Sequence, residues 1–339
     1  MLDINHMEND KAEIYISRLR VGTDGKGVRT MVSFTGCSIR CRFCLNTELL
    51  RSHSDGKKYT PEELYRELSR DKWYFLSTGG GITFSGGEPL LHSSFIEEFC
   101  RINSLQEEPW DIAIETSLNV PNENLEEVLP YINTYIVDIK DANPEIYTKY
   151  TMGGSISPVL DNLDHLRDMM INGYDYNVIV RVPLIWKFNT YEDSNKSIAF
   201  INERYNGLFS IDQFEYILAK EGIPETDGKR ICKVLKSIRK QLIQQNDLDI
   251  SQHECHYEGN CPGTCPRCEA ELEEINKSVI RHYANTLNKI GELKNELEYK
   301  PSLTKRRSDP SLGIPLPYDK PLMGAFYRPE KNIDDDWDF

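Results

Sequence analysis

The sequence contains no long hydrophobic run. No stretch approaches the about 18 consecutive apolar residues of a membrane-spanning helix, so we expect no membrane-spanning segment. The segment MLDINHMEND is polar and acidic, unlike a signal peptide, and we expect a cytoplasmic protein. Basic residues are also in the minority. The 40 Lys and Arg against 54 Asp and Glu give a net charge of -14, which argues against a nucleic-acid-binding surface.

Cysteine, in contrast, is plentiful. Nine cysteines in a protein of a reducing compartment more often bind metals or carry out redox chemistry than form disulfides. Three of them lie at 37–44 and four at 255–268. Cys100 and Cys232 stand alone within apparent helices, and we interpret both as buried packing residues rather than ligands.

Short β-branched runs alternate with helical patterns along most of the chain. Strands are predicted at 28–34, 81–85, 111–116, 134–140, 176–184 and 213–218, and helices at 61–71, 93–106, 122–130, 144–151, 159–172 and 191–205. This alternation indicates an α/β fold with a parallel sheet and right-handed crossovers. Six units are too few for a closed eight-stranded barrel, so we predict an open, partial (β/α)6 barrel of the TIM type. A doubly wound sheet is the alternative.

The pattern changes from residue 228 onward. A polar helix, GKRICKVLKSIRKQLIQQ, leads into the second cysteine group, and a long helix is predicted at 269–299. The apolar stripe of that helix, which includes Ile275, is most simply a face packed on the main domain. Residues 301–339 indicate an extended or disordered tail. We therefore divide the chain into a core domain at 1–250, a Cys-rich metal-binding segment with the long helix at 251–300, and the tail at 301–339.

The first cysteine group has the spacing C-x3-C-x2-C. It comprises Cys37, Cys41 and Cys44 within TGCSIRCRFCLN. Thiolates at this spacing can hold zinc or an iron–sulfur cluster, and His53 is a conceivable fourth ligand. The group follows the first predicted strand, at the edge of the sheet where α/β enzymes keep their chemistry. Three cysteines on a [4Fe-4S] cluster leave one iron open, which is typical of a catalytic rather than a structural metal centre.

A glycine-rich segment, FSGGEPLL at 84–91, follows the second predicted strand. Gly86 and Gly87 would let the backbone approach a ligand closely, and Glu88 would offer an anion to a ligand ammonium group. Together with Phe43 before the last cysteine of the first group, the segment resembles the cluster and GGE motifs of the radical SAM superfamily. The resemblance implies that the amino and carboxylate groups of S-adenosylmethionine (SAM) chelate the open iron. It further implies reductive cleavage of SAM to methionine and a 5′-deoxyadenosyl radical.

Other segments resemble a narrower group, the activating enzymes of glycyl-radical enzymes such as pyruvate formate-lyase. TDGKGVRTMVSFTGC is similar to that group's DGPGIR…F..GC segment. Three shorter segments at the ends of later predicted strands, IETS, VDIK and VRVPL, are also similar to segments of that group. The resemblance implies a role in binding SAM for four residues: Asn46, Asp138, Lys140 and Arg181. It also implies that Glu115 and Thr116 contribute to a monovalent-cation site.

Three positions depart from this narrower group. Lys26 stands in place of its proline, and Leu45 in place of the histidine that follows its last cysteine. Ala219, in YILAKEGIP, lies near the place where the group has a histidine after the sixth strand. We therefore expect the chemistry on the substrate side to differ more than the radical chemistry.

The second cysteine group, HECHYEGNCPGTCPRCEAEL, supplies four thiols: Cys255, Cys261, Cys265 and Cys268. Four thiolates make a closed site, either an auxiliary [4Fe-4S] cluster or a structural zinc, and two pairs of free thiols without a metal are the remaining alternative. We favour the cluster because of the chemistry expected of the host domain.

The main hypothesis is a radical SAM enzyme that abstracts hydrogen from a backbone glycine of a partner glycyl-radical enzyme. An open barrel leaves room for a substrate loop to enter, and a low-potential donor such as flavodoxin or ferredoxin would supply the electron. One alternative is a radical SAM enzyme that modifies a ribosomal peptide or a small molecule by means of an auxiliary cluster. The other is a non-catalytic iron–sulfur or zinc-binding adaptor.

Overall fold

The computed structural model describes residues 11–21, 24–44, 46–50, 56–185, 187–215, 226–246, 248–252 and 265–279. Its strands are β1 (Ala12–Val21), β2 (Val28–Phe34), β3 (Lys57–Tyr59), β4 (Gly81–Gly86), β5 (Asp111–Thr116), β6 (Thr134–Asp138), β7 (Asn177–Leu184) and β8 (Ser210–Glu215). Its helices are α1 (Pro61–Leu68), α2 (Lys72–Thr78), α3 (Ser93–Ser104), α4 (Asn122–Val128), α5 (Pro144–Tyr150), α6 (Ser157–Ile171), α7 (Tyr191–Tyr205), α8 (Thr226–Gln245) and α9 (Pro266–Val279).

These strands form one open sheet in the order β3-β1-β2-β4-β5-β6-β7-β8. From β2 to β8 the neighbours pair in parallel and follow one another in chain order. A doubly wound sheet reverses its strand order at a switch point, and this sheet does not, so that alternative is wrong. Right-handed crossovers that always step in one direction place their helices on one face. The predicted open, partial (β/α)6 barrel is confirmed.

Two antiparallel strands that the sequence pattern did not indicate extend the sheet beyond β2. β1 pairs with β2, where Ile14 lies opposite Phe34, and β3 pairs with β1. The register of β1 shifts between Ser17 and Arg20, and Leu19 has a φ of 55°. This irregularity interrupts the two-residue alternation that would have marked β1 as a strand, and β3 is only three residues long.

Helix α2 also escaped prediction, although the other helices of the barrel lie within a few residues of their predicted ranges. Its side chains from Trp73 to Thr78 are all buried. A helix that is buried all round carries no apolar stripe, so its sequence lacks the 3.6-residue period that identifies an amphipathic helix.

The described part of the C-terminal region packs on the barrel. Leu235 and Ile238 of α8, and Leu272 and Ile275 of α9, belong to the same hydrophobic core as the sheet. The predicted packing of the long helix on the main domain is therefore confirmed for α9. The remainder of that helix and the tail lie outside the described residues, and the division into domains stays a prediction.

Two further expectations can be compared with the described residues. Cys100 is buried in the core as predicted, whereas Cys232 is only half-buried. None of the helices in the described ranges is long and apolar enough to cross a membrane. The cytoplasmic location stays a prediction.

We predict that Ile275→Ala destabilises the metal-free protein by about 2–5 kcal/mol, because it leaves a cavity in the shared core. The side chain of Ile275 is 0% exposed, whereas Leu105 is 75% exposed and Leu105→Ala serves as the matched control. Urea unfolding of both variants would measure the difference. Equal stabilities would mean that α9 is not part of the cooperative core.

Candidate active site

One cavity lies at the carboxyl ends of β2, β4, β5 and β6. Its empty volume, which includes space open to solvent, is about 660 Å3. Each of the four strands is followed by predicted site residues that line this cavity. They are Cys37, Cys41, Phe43, Cys44 and Asn46 after β2, Gly86 and Gly87 at the end of β4, Glu115 and Thr116 on β5, and Asp138 and Lys140 at the end of β6. Glu88 and Arg181 are the exceptions discussed below.

The loop that carries the three cysteines is held from two sides. The backbone N–H of Gly36 donates to Leu49 O at 2.7 Å, which closes the loop at its base. On the other side, Arg42 N donates to Tyr150 O at 3.0 Å, and the hydroxyl of Tyr150 donates to Phe43 O at 3.2 Å. Tyr150 also lines the cavity. No motif in the sequence pointed to this tyrosine, because its partners lie more than a hundred residues away.

The GGE segment packs directly on the cysteine loop. Gly87 N donates to Phe34 O at 3.0 Å, and Glu88 N donates to Gly36 O at 2.8 Å. A Cβ atom on Gly87 would overlap Gly36 O, and one on Gly86, whose φ is +122°, would overlap Phe34 O. We expected these glycines to admit a ligand. The structure shows that the contact between the two protein loops already requires them.

The carboxylate of Glu88 does not reach the cavity. It is 0% exposed and accepts hydrogen bonds from Thr116 Oγ1 at 2.6 Å, from Ser117 N at 2.9 Å and Ser117 Oγ at 2.6 Å, and from Leu90 N at 3.2 Å. Burial raises the pKa of Glu88, and these donors oppose the rise. The structure thus places Glu88 behind the cavity wall, where it joins the ends of β4 and β5, rather than beside a ligand ammonium group.

Arg181 is buried under the cavity and is paired with Glu115. A guanidinium N–H of Arg181 donates to Glu115 Oε1, and Ser85 Oγ donates to Glu115 Oε2 at 2.9 Å. Burial by itself would lower the pKa of Arg181, but Glu115 and Asp138 raise it above its usual value. Because Glu115 faces this guanidinium and Thr116 donates to Glu88, both predicted cation ligands already have protein partners.

Asp138, Lys140 and Asn46 form the polar part of the cavity wall. Lys140 Nζ donates to Asp138 Oδ2 at 3.0 Å, and Asn46 Nδ2 donates to Gly86 O at 3.1 Å. The remaining acceptors, Asp138 Oδ1 and Asn46 Oδ1, are buried and find no hydrogen-bond partner in the described part of the chain. An unsatisfied buried acceptor costs about 1–3 kcal/mol, so these two atoms fit a ligand that brings its own donors.

The backbone of Lys140 is itself unusual. Its φ of 60° lies in the left-handed region, which a non-glycine residue adopts only when its surroundings impose it. β6 therefore ends at Asp138 rather than at 140 as predicted, and the chain turns so that the ammonium group returns to Asp138. Strain of this kind is characteristic of functional sites.

The three cysteines suit a cluster better than a single ion. A zinc ion needs its sulfur ligands at about 2.3 Å from one point, and no three Cys, His, Asp or Glu side chains within the described ranges are arranged in that way. Cys37, Cys41 and Cys44 instead share the wall of one cavity. Ligands of separate irons in a [4Fe-4S] cluster need not converge on one point, and the donor set fits such a group.

The second cysteine group is described only in part. Cys255 and Cys261 lie outside the described residues. Cys265 Sγ and Cys268 Sγ, at the start of α9, are 3.7 Å apart, and Arg239 Nη2 donates to Cys268 Sγ at 3.4 Å. The sequence did not indicate this role of Arg239, because Arg239 lies on α8 and the cysteines lie at the start of α9. The segment 216–225, which contains Ala219, is also outside the described residues.

Comparison with known proteins identifies the class to which this fold and site belong. The model of the radical SAM superfamily matches residues 31–194, which include the cysteine loop and all the strand ends from β2 to β7. These residues therefore form a radical SAM domain. This superfamily is one of enzymes, which favours the predicted enzyme over the non-catalytic adaptor.

Within the superfamily, the sequence is similar to activating enzymes. It is 38% identical over 137 residues to the (2S)-3-sulfopropanediol dehydratase activating enzyme of Klebsiella oxytoca, covering 40% of each chain. It is 38% identical over 131 residues to the pyruvate formate-lyase-activating enzyme of Clostridium pasteurianum, covering 39% of this chain and 53% of that one. The match thus spans about half the length of these relatives or less. It is 27% identical over 200 residues to the pyruvate formate-lyase-activating enzyme of Staphylococcus aureus (strain USA300), covering 57% of this chain and 75% of that one.

Solved structures give weaker similarities. A domain of a pyruvate-formate lyase-activating enzyme from Bacteroides vulgatus has 22% identity and a TM-score of 0.34, covering 47% of this chain and 94% of that one. The protein anSMEcpe with bound AdoMet has 14% identity and a TM-score of 0.42, covering 78% and 96%. The assignment rests on the sequence matches and on the site.

Burial raises the pKa of Cys37 to about 11 and that of Cys41 to about 12, so both thiols are protonated in the metal-free protein near neutral pH. Because the thiolate is the form that reacts with iodoacetamide, we predict alkylation at about pH 8 to be at least tenfold slower in folded, metal-free protein than in denaturant. The rates should rise as the pH approaches these pKa values. Mass spectrometry would follow each cysteine separately, and equal rates in both states would contradict the burial of the two thiols.

Proposed function

We propose that this protein binds a [4Fe-4S] cluster on Cys37, Cys41 and Cys44 and uses it to activate a partner enzyme. When bound, the cluster supplies the electron that cleaves SAM to methionine and a 5′-deoxyadenosyl radical. That radical takes a hydrogen atom from the Cα of a backbone glycine in the partner, leaving a glycyl radical and 5′-deoxyadenosine. A low-potential carrier of the flavodoxin or ferredoxin class supplies the electron to the cluster.

A single observation carries this proposal. The three cysteines share one cavity with two buried acceptors, Asn46 Oδ1 and Asp138 Oδ1, that have no hydrogen-bond partner in the described residues. SAM contains an ammonium group, ribose hydroxyls and an adenine amino group, each of which is a hydrogen-bond donor. The cavity thus combines a cluster-binding loop with acceptors for the molecule that the cluster would cleave.

The protein's own residues act by binding and positioning. Lys140 places a positive charge in the cavity wall, where it can attract a carboxylate, while Asp138 keeps one oxygen available for a ligand donor. Tyr150 and the GGE segment fix the cysteine loop from opposite sides. Apolar side chains of the lining, including Ile39 and Phe43, restrict water around a reactive species.

Two features support a protein substrate. The relatives with the highest identity quoted above are named as activating enzymes of a dehydratase and of pyruvate formate-lyase. The sheet is open, so that a loop of a partner can approach the cavity from solvent. The second cysteine group completes the proposal as an additional metal centre, for which sequence favours an auxiliary [4Fe-4S] cluster over zinc.

We predict that the anaerobically reconstituted protein, given SAM and a low-potential reductant, releases 5′-deoxyadenosine. Chromatographic analysis would detect this product. Cys41→Ala should abolish the release, because it removes one of only three cluster ligands, and should lower the iron content of the first site from about four per chain. Release that survives Cys41→Ala would contradict the assignment of the cluster.

With a candidate glycyl-radical enzyme present, the same reaction should give a glycine-centred doublet by electron paramagnetic resonance. Cleavage of SAM without this doublet, but with a mass change in a peptide or small molecule, would favour the alternative substrate class. The two readouts therefore separate the radical chemistry from the identity of the substrate.

We predict that Asp138→Asn weakens SAM binding to the reconstituted protein by about 10–100-fold, since a hydrogen bond between charged groups contributes about 1.5–3 kcal/mol. Equilibrium dialysis with labelled SAM would measure the change. Asp161→Asn, on the exposed surface of α6, makes the same chemical change as a matched control and should leave the affinity unaltered. Equal affinities for the two variants would remove Asp138 from the site.

A further inference from the structure

We propose that an acidic electron-carrier protein docks on a small basic patch on the outer side of the cysteine loop. The basic patch consists of Arg40, Arg42 and Lys149. This inference rests on the proposed function, because it names the surface through which the carrier passes its electron to a cluster on the first cysteine group. One electron leaves the reduced carrier and enters the cluster, and no atom is transferred.

Two chain segments bring the three cations of the basic patch together. Arg40 N donates to Thr151 O at 3.4 Å. Arg42 N donates to Tyr150 O at 3.0 Å, so the cysteine loop and the end of α5 run side by side. The guanidinium of Arg42 also donates from Nε to Lys149 O at 3.3 Å. All three cationic side chains are exposed, and a docking protein can therefore contact them.

The positive charge of the basic patch is not neutralised by neighbouring carboxylates. The guanidinium groups donate to backbone carbonyls, and within the described residues no Asp or Glu forms an ion pair with the patch. Glu145, one turn before Lys149 on α5, is included in that statement. The chain as a whole has a net charge of -14. An anionic protein is repelled by most of such a chain and is directed to a local excess of positive charge.

The basic patch lies directly on the residues that would bind the cluster. Arg40 Nη1 donates to Cys37 O at 2.6 Å. Arg40 and Arg42 are the two chain neighbours of Cys41. Electron transfer slows steeply with distance, so a carrier that docks here delivers its electron next to the cluster ligands.

The basic patch also lies outside the cavity that we assign to SAM. Cys41 and Tyr150 line that cavity, whereas the three cations do not. A protein substrate must bring its glycine into the cavity, but an electron can reach the cluster from the outer side of the loop. The position of the patch therefore favours the electron carrier over the substrate protein as its occupant.

Apolar side chains next to the cations give this surface the composition of a transient interface. Met152, three residues after Lys149, is 55% exposed. The ring of Phe188 is half-buried, and its centroid lies 5.8 Å from Lys149 Nζ and 5.5 Å from the ring centroid of Phe43 in the cysteine loop. Electron-transfer complexes typically bury less than about 1,200 Å2, and charges steer their encounter. A small surface of this kind suits a carrier that binds briefly and leaves after one electron.

The test follows reduction of the cluster in the full, reconstituted chain by stopped-flow absorbance, with a purified flavodoxin of acidic net charge, fully reduced, as the probe. The second-order rate constant should fall as salt is added, because salt screens the steering charges. At low ionic strength Lys149→Glu should lower it about threefold or more, and Arg42→Glu combined with Lys149→Glu about tenfold or more.

Arg101→Glu is the matched control, because it makes the same change in net charge at another exposed position. Arg101 lies in the last turn of α3, which starts near the cavity end of β4 and returns the chain to the start of β5. It is therefore near the opposite end of the barrel, and its reversal should leave the rate of reduction by flavodoxin unchanged. Lys149→Glu and Arg101→Glu should both release 5′-deoxyadenosine at the unaltered rate when excess dithionite replaces the carrier.

A binding measurement separates docking from damage to the cysteine loop. Surface plasmon resonance with immobilised flavodoxin would give the affinity of the metal-free protein, since the basic patch consists of protein groups alone. Lys149→Glu should weaken this affinity, whereas Arg42→Lys keeps the charge and should retain it even though the hydrogen bond of Nε is lost.

Equal affinities and equal rates of reduction by flavodoxin in Lys149→Glu and Arg101→Glu would overturn the docking site. A higher KM for a glycyl-radical enzyme under dithionite, with reduction by flavodoxin unchanged, would overturn it in favour of the substrate protein. Failure of the unaltered protein to release 5′-deoxyadenosine with dithionite would contradict the proposed function instead, and the affinity for flavodoxin would still decide whether the patch is a docking site.

Discussion

The contact between the loops after β2 and β4 is the constraint on which the candidate active site depends. Gly36 O accepts the N–H of Glu88, and Gly87 lies so close that no side chain fits there. The carboxylate of Glu88 then reaches in the other direction and binds Thr116 and Ser117 at the end of β5. One short segment therefore fixes the position of the cysteine loop and of the next strand end, which explains why Gly87 has no side chain and why Glu88 is fully buried.

The charges of the cavity follow from the cost of burying them. An isolated buried ion is strongly unfavourable, and each ion here has an oppositely charged neighbour, as in the pairs of Glu115 with Arg181 and of Asp138 with Lys140. Glu115 of the first pair lines the cavity, but both of its carboxylate oxygens are satisfied by protein groups. The second lies in its wall and keeps one carboxylate oxygen without a partner in the described residues. The ammonium and carboxylate groups of a ligand such as SAM would find both an acceptor and a cation there.

Most of the fold could be predicted because buried parallel strands produce compact β-branched runs, and the site could be predicted because the carboxyl ends of such strands meet at one edge. The failures have physical causes. Strand β1 contains an irregularity, so its sequence lacks the two-residue alternation expected of a strand. Helix α2 is buried on all sides, so its sequence lacks the 3.6-residue period of apolar residues expected of a surface helix. The role of Glu88 escaped prediction because its partners lie on another strand, 28 and 29 residues away. The role of Arg239 was not predicted for the same reason, because its hydrogen-bond partners lie on other helices.

The two cysteine groups share the C-x3-C-x2-C spacing, but the described residues place their cysteines in different surroundings. In the first group the cysteines lie on a loop and line one cavity together with the polar strand ends. In the second group Cys265 and Cys268 begin a helix that packs on the barrel, and Cys268 Sγ accepts a hydrogen bond from the buried guanidinium of Arg239, which also donates to Tyr74 of α2. Because α2 leads directly into β4 and its GGE segment, the hydrogen bond of Arg239 to Tyr74 connects α8 to the part of the fold that positions the first site. The described cysteines of the second group thus lie among contacts between helices, whereas those of the first line a cavity with the unsatisfied acceptors that a ligand requires.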